Sequence, residues 1–126
     1  MELSDLTEKI IGCAFGVYNT LGSGFLESVY HKSLHIELDK SGLVSEVQKP
    51  VKVYYDNQQV GEFIADIIVN NSVVVELKAI QKLNKVHEVQ LVNYLRATGI
   101  PVGLLINFGE EKIEVKRKVK ELKPAK

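Results

Sequence analysis

Two runs of apolar, largely β-branched residues on either side of a short polar segment constrain this chain more than any other feature. Residues 62–69 and 73–80 form the runs, and Asn70-Asn71-Ser72 separates them. Such runs around turn-forming residues predict a β-hairpin. Charged groups inside apolar strands need partners. Three of them interrupt these runs: Asp66, Glu76 and Lys78.

The register of the hairpin decides whether these charged groups meet. A three-residue loop places Asp66 directly opposite Glu76, and Lys78 shares their face because side chains alternate along a strand. A two-residue turn would instead place Asp66 opposite Val75 and separate the charges. Opposed carboxylates, with Cβ atoms roughly 5 Å apart, repel each other unless a cation or a proton relieves them. We expect the three-residue loop, and a divalent metal would supply that relief.

An acid-x-Lys triplet is not specific by itself. The chain contains four, but only Glu76-x-Lys78 lies among apolar residues, and the other three lie in charge-dense sequence typical of solvated faces. A cross-strand salt-bridge ladder on a half-exposed sheet, worth well under about 1 kcal/mol, is the alternative interpretation.

Length and composition favour one compact domain over residues 1–126. The chain is 45% hydrophobic and has no linker, repeat or low-complexity segment. Its amino terminus lacks a basic region followed by an apolar stretch, and no apolar run has membrane-spanning length, so we expect a cytoplasmic protein without a membrane partner. Its single cysteine, Cys13, excludes an intramolecular disulfide.

The net charge is zero, which argues against a chain that coats nucleic acid by bulk electrostatics. From Lys112 onward, however, the sequence contains seven basic residues and only two acidic ones. This stretch, with Lys116 and Arg117 at its centre, would suit a phosphate-tracking edge. The alternative is a charged edge strand and tail that resist aggregation.

Apolar spacing and turn residues predict the order helix, helix, strand, strand, strand, helix, strand, strand. We expect helices at about 3–21, 26–41 and 84–98, and strands at about 44–48 continuing as 51–55 after a break or bulge at Pro50, then 60–69, 73–80, 102–108 and 112–119. The strand at 102–108 has no interior charge and should be buried on both faces. This order predicts an α/β sandwich rather than a regularly alternating doubly wound fold.

The third predicted helix places two polar residues, His87 and Gln90, in its apolar stripe. A buried amide needs hydrogen-bond partners, which either a site or the sheet backbone would supply. His87 fits a substrate contact and a hydrogen-bonded core histidine equally well.

The second predicted helix offers Glu27, one turn from Tyr30. Glu27 is a candidate third carboxylate, or an acid that stabilises the helix dipole. His31 and His35 have a spacing that can chelate a metal, but no HExxH-type pattern surrounds them, so a solvated pair is favoured.

Asp66 followed by Glu76-Leu77-Lys78 on the next strand resembles the active-site signature of the PD-(D/E)XK nuclease superfamily. Ala65 stands where the superfamily name has proline, a position that is often variable. From about Leu6 to Arg117, further blocks resemble the GxxExxY protein family, a small bacterial and archaeal group within that superfamily. These blocks are residues 24–30 (GFLESVY), 63–66 (FIAD), 75–79 (VELKA), 87–95 (HEVQLVNYL) and 103–109 (GLLINFG).

The resemblance implies a single-domain mixed sheet flanked by helices, in the order ααβββαββ, and metal-dependent hydrolysis of phosphodiester bonds. It implies that Asp66, Glu76 and the Leu77 carbonyl hold Mg²⁺ or Mn²⁺. Glu27 would complete the metal shell, and Lys78 and Gln90 would act on water or phosphate. The expected substrate contacts are Tyr30, His87, Lys116 and Arg117.

The implied partner is nucleic acid, with DNA expected first, and a homodimer or a partner protein would supply specificity. A non-catalytic nucleic-acid- or protein-binding module on the same scaffold is the main alternative, because a fold does not guarantee chemistry. A domain that binds a small phosphorylated molecule at Asp66 has less support.

Overall fold

The computed structural model describes residues 1–120, so Lys123 and Lys126 of the predicted basic stretch lie outside the described residues. The predicted order of helices and strands is confirmed. The elements are α1 (Leu3–Leu21), α2 (Glu27–Lys40), β1 (Ser45–Tyr55), β2 (Gln58–Val69), β3 (Val73–Lys78), α3 (Lys85–Thr98), β4 (Val102–Phe108) and β5 (Ile113–Val119). Within residues 1–120, none of the helices combines the length and apolarity needed to cross a bilayer.

The five strands form one mixed sheet in the order β1-β2-β3-β4-β5. Strands β3 and β4 are parallel and are connected through α3, whereas the other neighbouring strands are antiparallel. Helices α1 and α2 pack with one face of the sheet and α3 packs with the other. The predicted mixed sheet flanked by helices is therefore confirmed.

Two apolar clusters hold the helices on the sheet. Ile10 of α1 and Leu34 of α2 belong to a cluster that includes Leu77. Leu91 and Leu95 of α3 belong to a second cluster on the opposite face. All seven residues of β4 are buried, which confirms the prediction of a strand buried on both faces.

The turn between β2 and β3 has the three-residue form. Val69 pairs with Val73, and the segment between them is Asn70–Ser72. Asn70 and Asn71 have φ values of 50° and 54°, in the left-handed region that asparagine tolerates better than most residues. The register places Asp66 and Glu76 as the next opposed residues after the paired segment.

Strand β1 corrects one sequence-based expectation. The predicted break or bulge at Pro50 is wrong, because Pro50 pairs with Ile64 in unbroken register within a continuous strand. β1 is an edge strand, so a proline without an N–H is tolerated there. The register instead shifts between Val53 and Tyr54. Gln48, two residues before Pro50, has a φ of 51°.

Candidate active site

The candidate site lies where β2 and β3 separate. Only residues 67–69 of β2 pair with β3. The alternation of β2 side chains also changes at this point: Phe63 and Ala65 contact the α3 cluster, whereas Ile67 and Val69 belong to the α1–α2 cluster. Asp66 therefore lies where the side-chain alternation of β2 switches between the two faces of the sheet and where the pairing of β2 with β3 ends.

Two carboxylates fill the gap between the separating strands. Glu76 Oε1 accepts a hydrogen bond from the Asp66 N–H at 3.4 Å, and Asp66 Oδ2 accepts one from the Leu77 N–H at 2.8 Å. The side chains thus bond to the backbone groups that strand pairing no longer engages. This pair brings together the two acids that the register predicted to meet.

The electrostatics of this pair favour a bound proton. Glu76 is only 8% exposed. Burial, followed by the charge of Asp66 and a hydrogen bond with its side chain, raises the pKa of Glu76 to about 9, and Lys78 opposes that rise. In the absence of a cation, the protonated form of Glu76 is therefore favoured at neutral pH.

Helix α2 adds two more side chains to Asp66. His31 Nε2 lies 3.6 Å from Glu27 Oε1 and 3.7 Å from Asp66 Oδ2. One ligand atom from each of the three residues falls within 4.8 Å of the others. Glu27 and His31 reach Asp66 together because residues four apart share a helix face.

His31 is the metal-ligand candidate that sequence reasoning missed. The sequence favoured a solvated pair of His31 and His35, but the two side chains have separate partners: His31 lies near Glu27 and Asp66, whereas His35 Nδ1 lies 2.6 Å from Ser45 Oγ and its Nε2 lies 3.5 Å from Asp39. The signal that could have identified His31 was its i, i+4 relation to Glu27.

This donor set fits a divalent cation. Carboxylate oxygens such as those of Glu27 and Asp66 are the ligands that Mg²⁺ and Mn²⁺ prefer, and a neutral imidazole from His31 is accepted better by Mn²⁺ than by Mg²⁺. Glu76 lies outside this group of three and adjoins it through Asp66. The proton on Glu76 would have to leave before that carboxylate could serve as a ligand.

Lys78 and Leu77 lie on opposite faces of β3. Leu77 is fully buried in the α1–α2 cluster, so its contribution at the site comes from its backbone. Val74 belongs to the α3 cluster, and alternation places Glu76 and Lys78 on that same face. Lys78 is half-buried and close enough to Glu76 to lower its pKa.

A buried polar network anchors the chain after Lys78. Asn107 is fully buried; its Oδ1 accepts from the Ile80 N–H at 2.9 Å, and its Nδ2 donates to the Ile80 carbonyl at 3.0 Å and to Glu114 Oε1 at 3.0 Å. Glu114 also accepts from the Leu83 N–H at 3.1 Å. Sequence reasoning did not select Asn107, although an amide in an otherwise apolar strand was the available signal.

Tyr30 has a role in the fold. Its side chain is fully buried, its hydroxyl donates to the Gly22 carbonyl at 2.7 Å, and its ring stacks on Phe108 at 4.4 Å. The hydroxyl also accepts from the Phe25 N–H at 3.3 Å. This placement argues against the expected substrate contact, because both sides of the hydroxyl are engaged by the chain.

Helix α3 presents its polar residues differently from the prediction. The expectation that Gln90 lies in the buried face is wrong, because its side chain is exposed. His87 accepts from the Asn84 N–H at 3.2 Å within the capping box that begins α3. The buried residues of the helix are Leu91 and Leu95, a narrower stripe than the helical spacing of the sequence predicted.

Tyr94, one turn after Gln90, is an α3 residue whose hydroxyl is affected by the charges of Glu76 and Asp66. Its ring stacks on Phe63 of β2 with centroids 3.8 Å apart. Burial, then the charges of Glu76 and Asp66, raise the pKa of Tyr94. Tyr94 therefore lies at the α3 side of the separated strands.

Lys116 and Arg117, the two basic residues expected to contact phosphate, lie on opposite faces of the sheet. Val115 packs against the α1–α2 cluster, so alternation along β5 places Arg117 on that face and Lys116 on the α3 face. Both are exposed. On the α3 face, Lys118 Nζ binds Glu88 Oε1 at 2.6 Å.

A family model described as the PD-(D/E)XK nuclease superfamily matches residues 4–119. The chain belongs to the PD-(D/E)XK nuclease superfamily. Nucleases of this superfamily act on nucleic acid and generally use divalent metals. Asp66, Glu76 and Lys78, the residues that resemble the signature of the superfamily, lie within the matched range.

The crystal structure of SSO0001 matches this PD-(D/E)XK chain with a TM-score of 0.58 and 21% sequence identity. The match covers 76% of this chain and 51% of that chain, so this chain spans about half the length of SSO0001. At this identity the likeness supports the fold alone. No curated protein matches the chain.

Proposed function

We propose that this chain is a metal-dependent nuclease that hydrolyses phosphodiester bonds of nucleic acid. The observation that carries the proposal is the convergence of Asp66, Glu76 and Glu27 with His31 at one point of the sheet, beside Lys78. Glu27 and Asp66 lie on either side of the His31 Nε2, and Asp66 also contacts the buried Glu76, so this group concentrates carboxylates in the way that a cation site requires.

Each residue has a proposed role. Asp66 and Glu76 hold a divalent cation with Glu27 and His31, and Leu77 supplies its carbonyl. The cation, when bound, polarises the phosphate and lowers the pKa of an attacking water. The Lys78 ammonium orients that water or neutralises charge that develops on the phosphoryl oxygens. Gln90, His87, Lys116 and Arg117 remain predicted contacts to water or nucleic acid.

Within the superfamily, we propose membership of the GxxExxY family. The spacing of Gly24, Glu27 and Tyr30 supports it, and each of the three has a separate task. Gly24 adopts a φ of 99°, Glu27 faces Asp66 through His31, and Tyr30 anchors the turn to the core. The motif thus delivers a carboxylate to the site from a fixed helix start.

Four finer expectations stay predictions: Mg²⁺ or Mn²⁺ as the ion, DNA as the substrate, a homodimer or partner protein, and a cytoplasmic location. A single domain over residues 1–126 is proposed on the same terms. None of these is needed for the chemistry assigned to Asp66, Glu76 and Lys78.

The proposal is tested by incubating purified protein with single-stranded DNA, duplex DNA and RNA in the presence of Mg²⁺ or Mn²⁺. We expect cleavage that EDTA abolishes and that Asp66→Asn and Lys78→Ala abolish or greatly reduce. Lys52→Ala removes an exposed lysine of β1 and is the control. Cleavage that persists in both site variants would assign the activity to a contaminant or to another site.

A further inference from the structure

Gln48 occupies an unusual position in β1. Val47 pairs with Ile67 and Lys49 pairs with Ala65, so Gln48 is the β1 residue that faces Asp66 across the strand pair. Its φ of 51° lies in the left-handed region, which is unfavourable for a long side chain. Such strain persists only where the surrounding structure compensates for it, and it is common at functional sites.

The side chain of Gln48 contacts the ring nitrogen of His31 that faces away from the two carboxylates. Gln48 Nε2 lies 3.4 Å from His31 Nδ1, whereas His31 Nε2 faces Glu27 and Asp66. The imidazole is therefore bracketed, with a carboxamide at one ring nitrogen and two carboxylates at the other. His31 and Gln48 also line a cleft of about 500 Å³ between α2 and β1, so solvent reaches this contact.

We propose that Gln48 is a positioning residue that orients His31 toward Glu27 and Asp66 in either neutral tautomer of the imidazole ring. A neutral imidazole has one donor and one acceptor nitrogen. Without a cation, the Gln48 amide donates to Nδ1, and the Nε2 proton points at the carboxylates. With Nε2 engaged by a cation, Nδ1 carries the proton, and half a turn of the carboxamide presents its oxygen as acceptor.

This role rests on the proposed function, because it takes Glu27, His31 and Asp66 to be a cation site. Histidines that bind metals usually donate their other ring N–H to a neighbouring acceptor, and loss of that acceptor typically weakens metal binding about 10–100-fold. No other side chain among residues 1–120 forms a hydrogen bond to His31 Nδ1.

The test compares variants of Gln48 by Mn²⁺ calorimetry and by thermal unfolding in EDTA. Gln48→Gly removes the carboxamide and relieves the positive φ, so we expect a higher melting temperature and Mn²⁺ affinity reduced about 10–100-fold. A purely structural role would lower both. Gln48→Asn, which tolerates the same φ but has a shorter side chain, should behave like the glycine variant.

Gln48→Glu gives the opposite expectation. A carboxylate at this position accepts the Nδ1 proton more strongly and should hold Mn²⁺ at least as tightly as wild type. Val47→Glu adds the same charge to the same cleft one residue away and controls for electrostatics. In ¹⁵N spectra with Mg²⁺, wild type and Gln48→Glu should show the His31 proton on Nδ1.

Two results would overturn the role of Gln48 alone: wild-type Mn²⁺ affinity in Gln48→Gly, or equal affinities in Gln48→Glu and Val47→Glu. Wild-type protein that binds neither Mn²⁺ nor Mg²⁺ would overturn the proposed function and this role together. The two failures are therefore distinguishable by the wild-type titration.

Discussion

Asp66 and Glu76 are joined by reciprocal contacts at the point where β2 leaves β3. The Asp66 N–H donates to the Glu76 carboxyl, and the Asp66 carboxylate accepts from the N–H that follows Glu76. Each side chain replaces a strand-pairing partner, so the two acids stabilise the end of the paired segment. The same arrangement crowds two carboxyl groups that only a proton or a cation can hold together.

The first prediction concerns the pH dependence of stability without metal. Glu76 keeps its proton in the folded state up to a pKa of about 9, whereas the unfolded chain loses it near 4.5. Between these values the folded state binds more protons, so the unfolding free energy should fall as pH rises, by at most about 1.4 kcal/mol per pH unit. Urea unfolding in EDTA measures it.

Glu76→Gln is the control for this dependence. The amide is neutral at every pH and still donates to Asp66, so its unfolding free energy should lack the decline attributed to Glu76. Parallel curves for wild type and Glu76→Gln would contradict the raised pKa.

The second prediction is that metal binding releases the proton of Glu76. At neutral pH a cation must displace the proton of Glu76, so binding should release about one proton and tighten as pH rises toward 9. Calorimetry in two buffers with different ionisation enthalpies gives the number released. Glu76→Gln should bind more weakly and release fewer protons. Identical heats in both buffers would show that Glu76 is not a ligand.

The third prediction separates the lysine from the metal ligands. Lys78→Ala should reduce cleavage about 10²–10³-fold, because it removes a charge placed to stabilise the reacting phosphate. The metal affinity should change little, since Lys78 is assigned no ligand role. Lys78→Arg should recover part of the activity. Loss of metal binding in Lys78→Ala would mean that the lysine supports the site's structure rather than its chemistry.

The fourth prediction concerns the buried amide of β4. Asn107→Ala leaves Ile80 and the Glu114 carboxylate without their buried partner and should destabilise the protein by about 2–4 kcal/mol. Urea unfolding measures this cost. Asn19→Ala, at an exposed position of α1, should stay within about 0.5 kcal/mol of wild type. Equal stabilities for the two variants would exclude an anchoring role for Asn107.

Much of the fold was predictable because its signals are local. Apolar periodicity gave α1 and β4 at their observed bounds, and the turn residues Asn70–Ser72 gave the register that opposes Asp66 to Glu76. A break or bulge was predicted at the residue with the strongest local signal, Pro50, but an edge strand accommodates proline. The register shifts between Val53 and Tyr54 instead, and the left-handed backbone lies at Gln48, where no local sequence signal marks it.

The sequence by itself determined the hairpin, its register and the pairing of two acids with a lysine, because alternation and loop length depend only on neighbouring residues. Only the tertiary structure decided that His31 rather than His35 lies near Asp66. It also decided that the Tyr30 hydroxyl donates to the Gly22 carbonyl before α2, and that Gln48 contacts Nδ1 of His31. Those contacts connect separate elements, and their geometry depends on how α2 packs against the point at which β2 changes face.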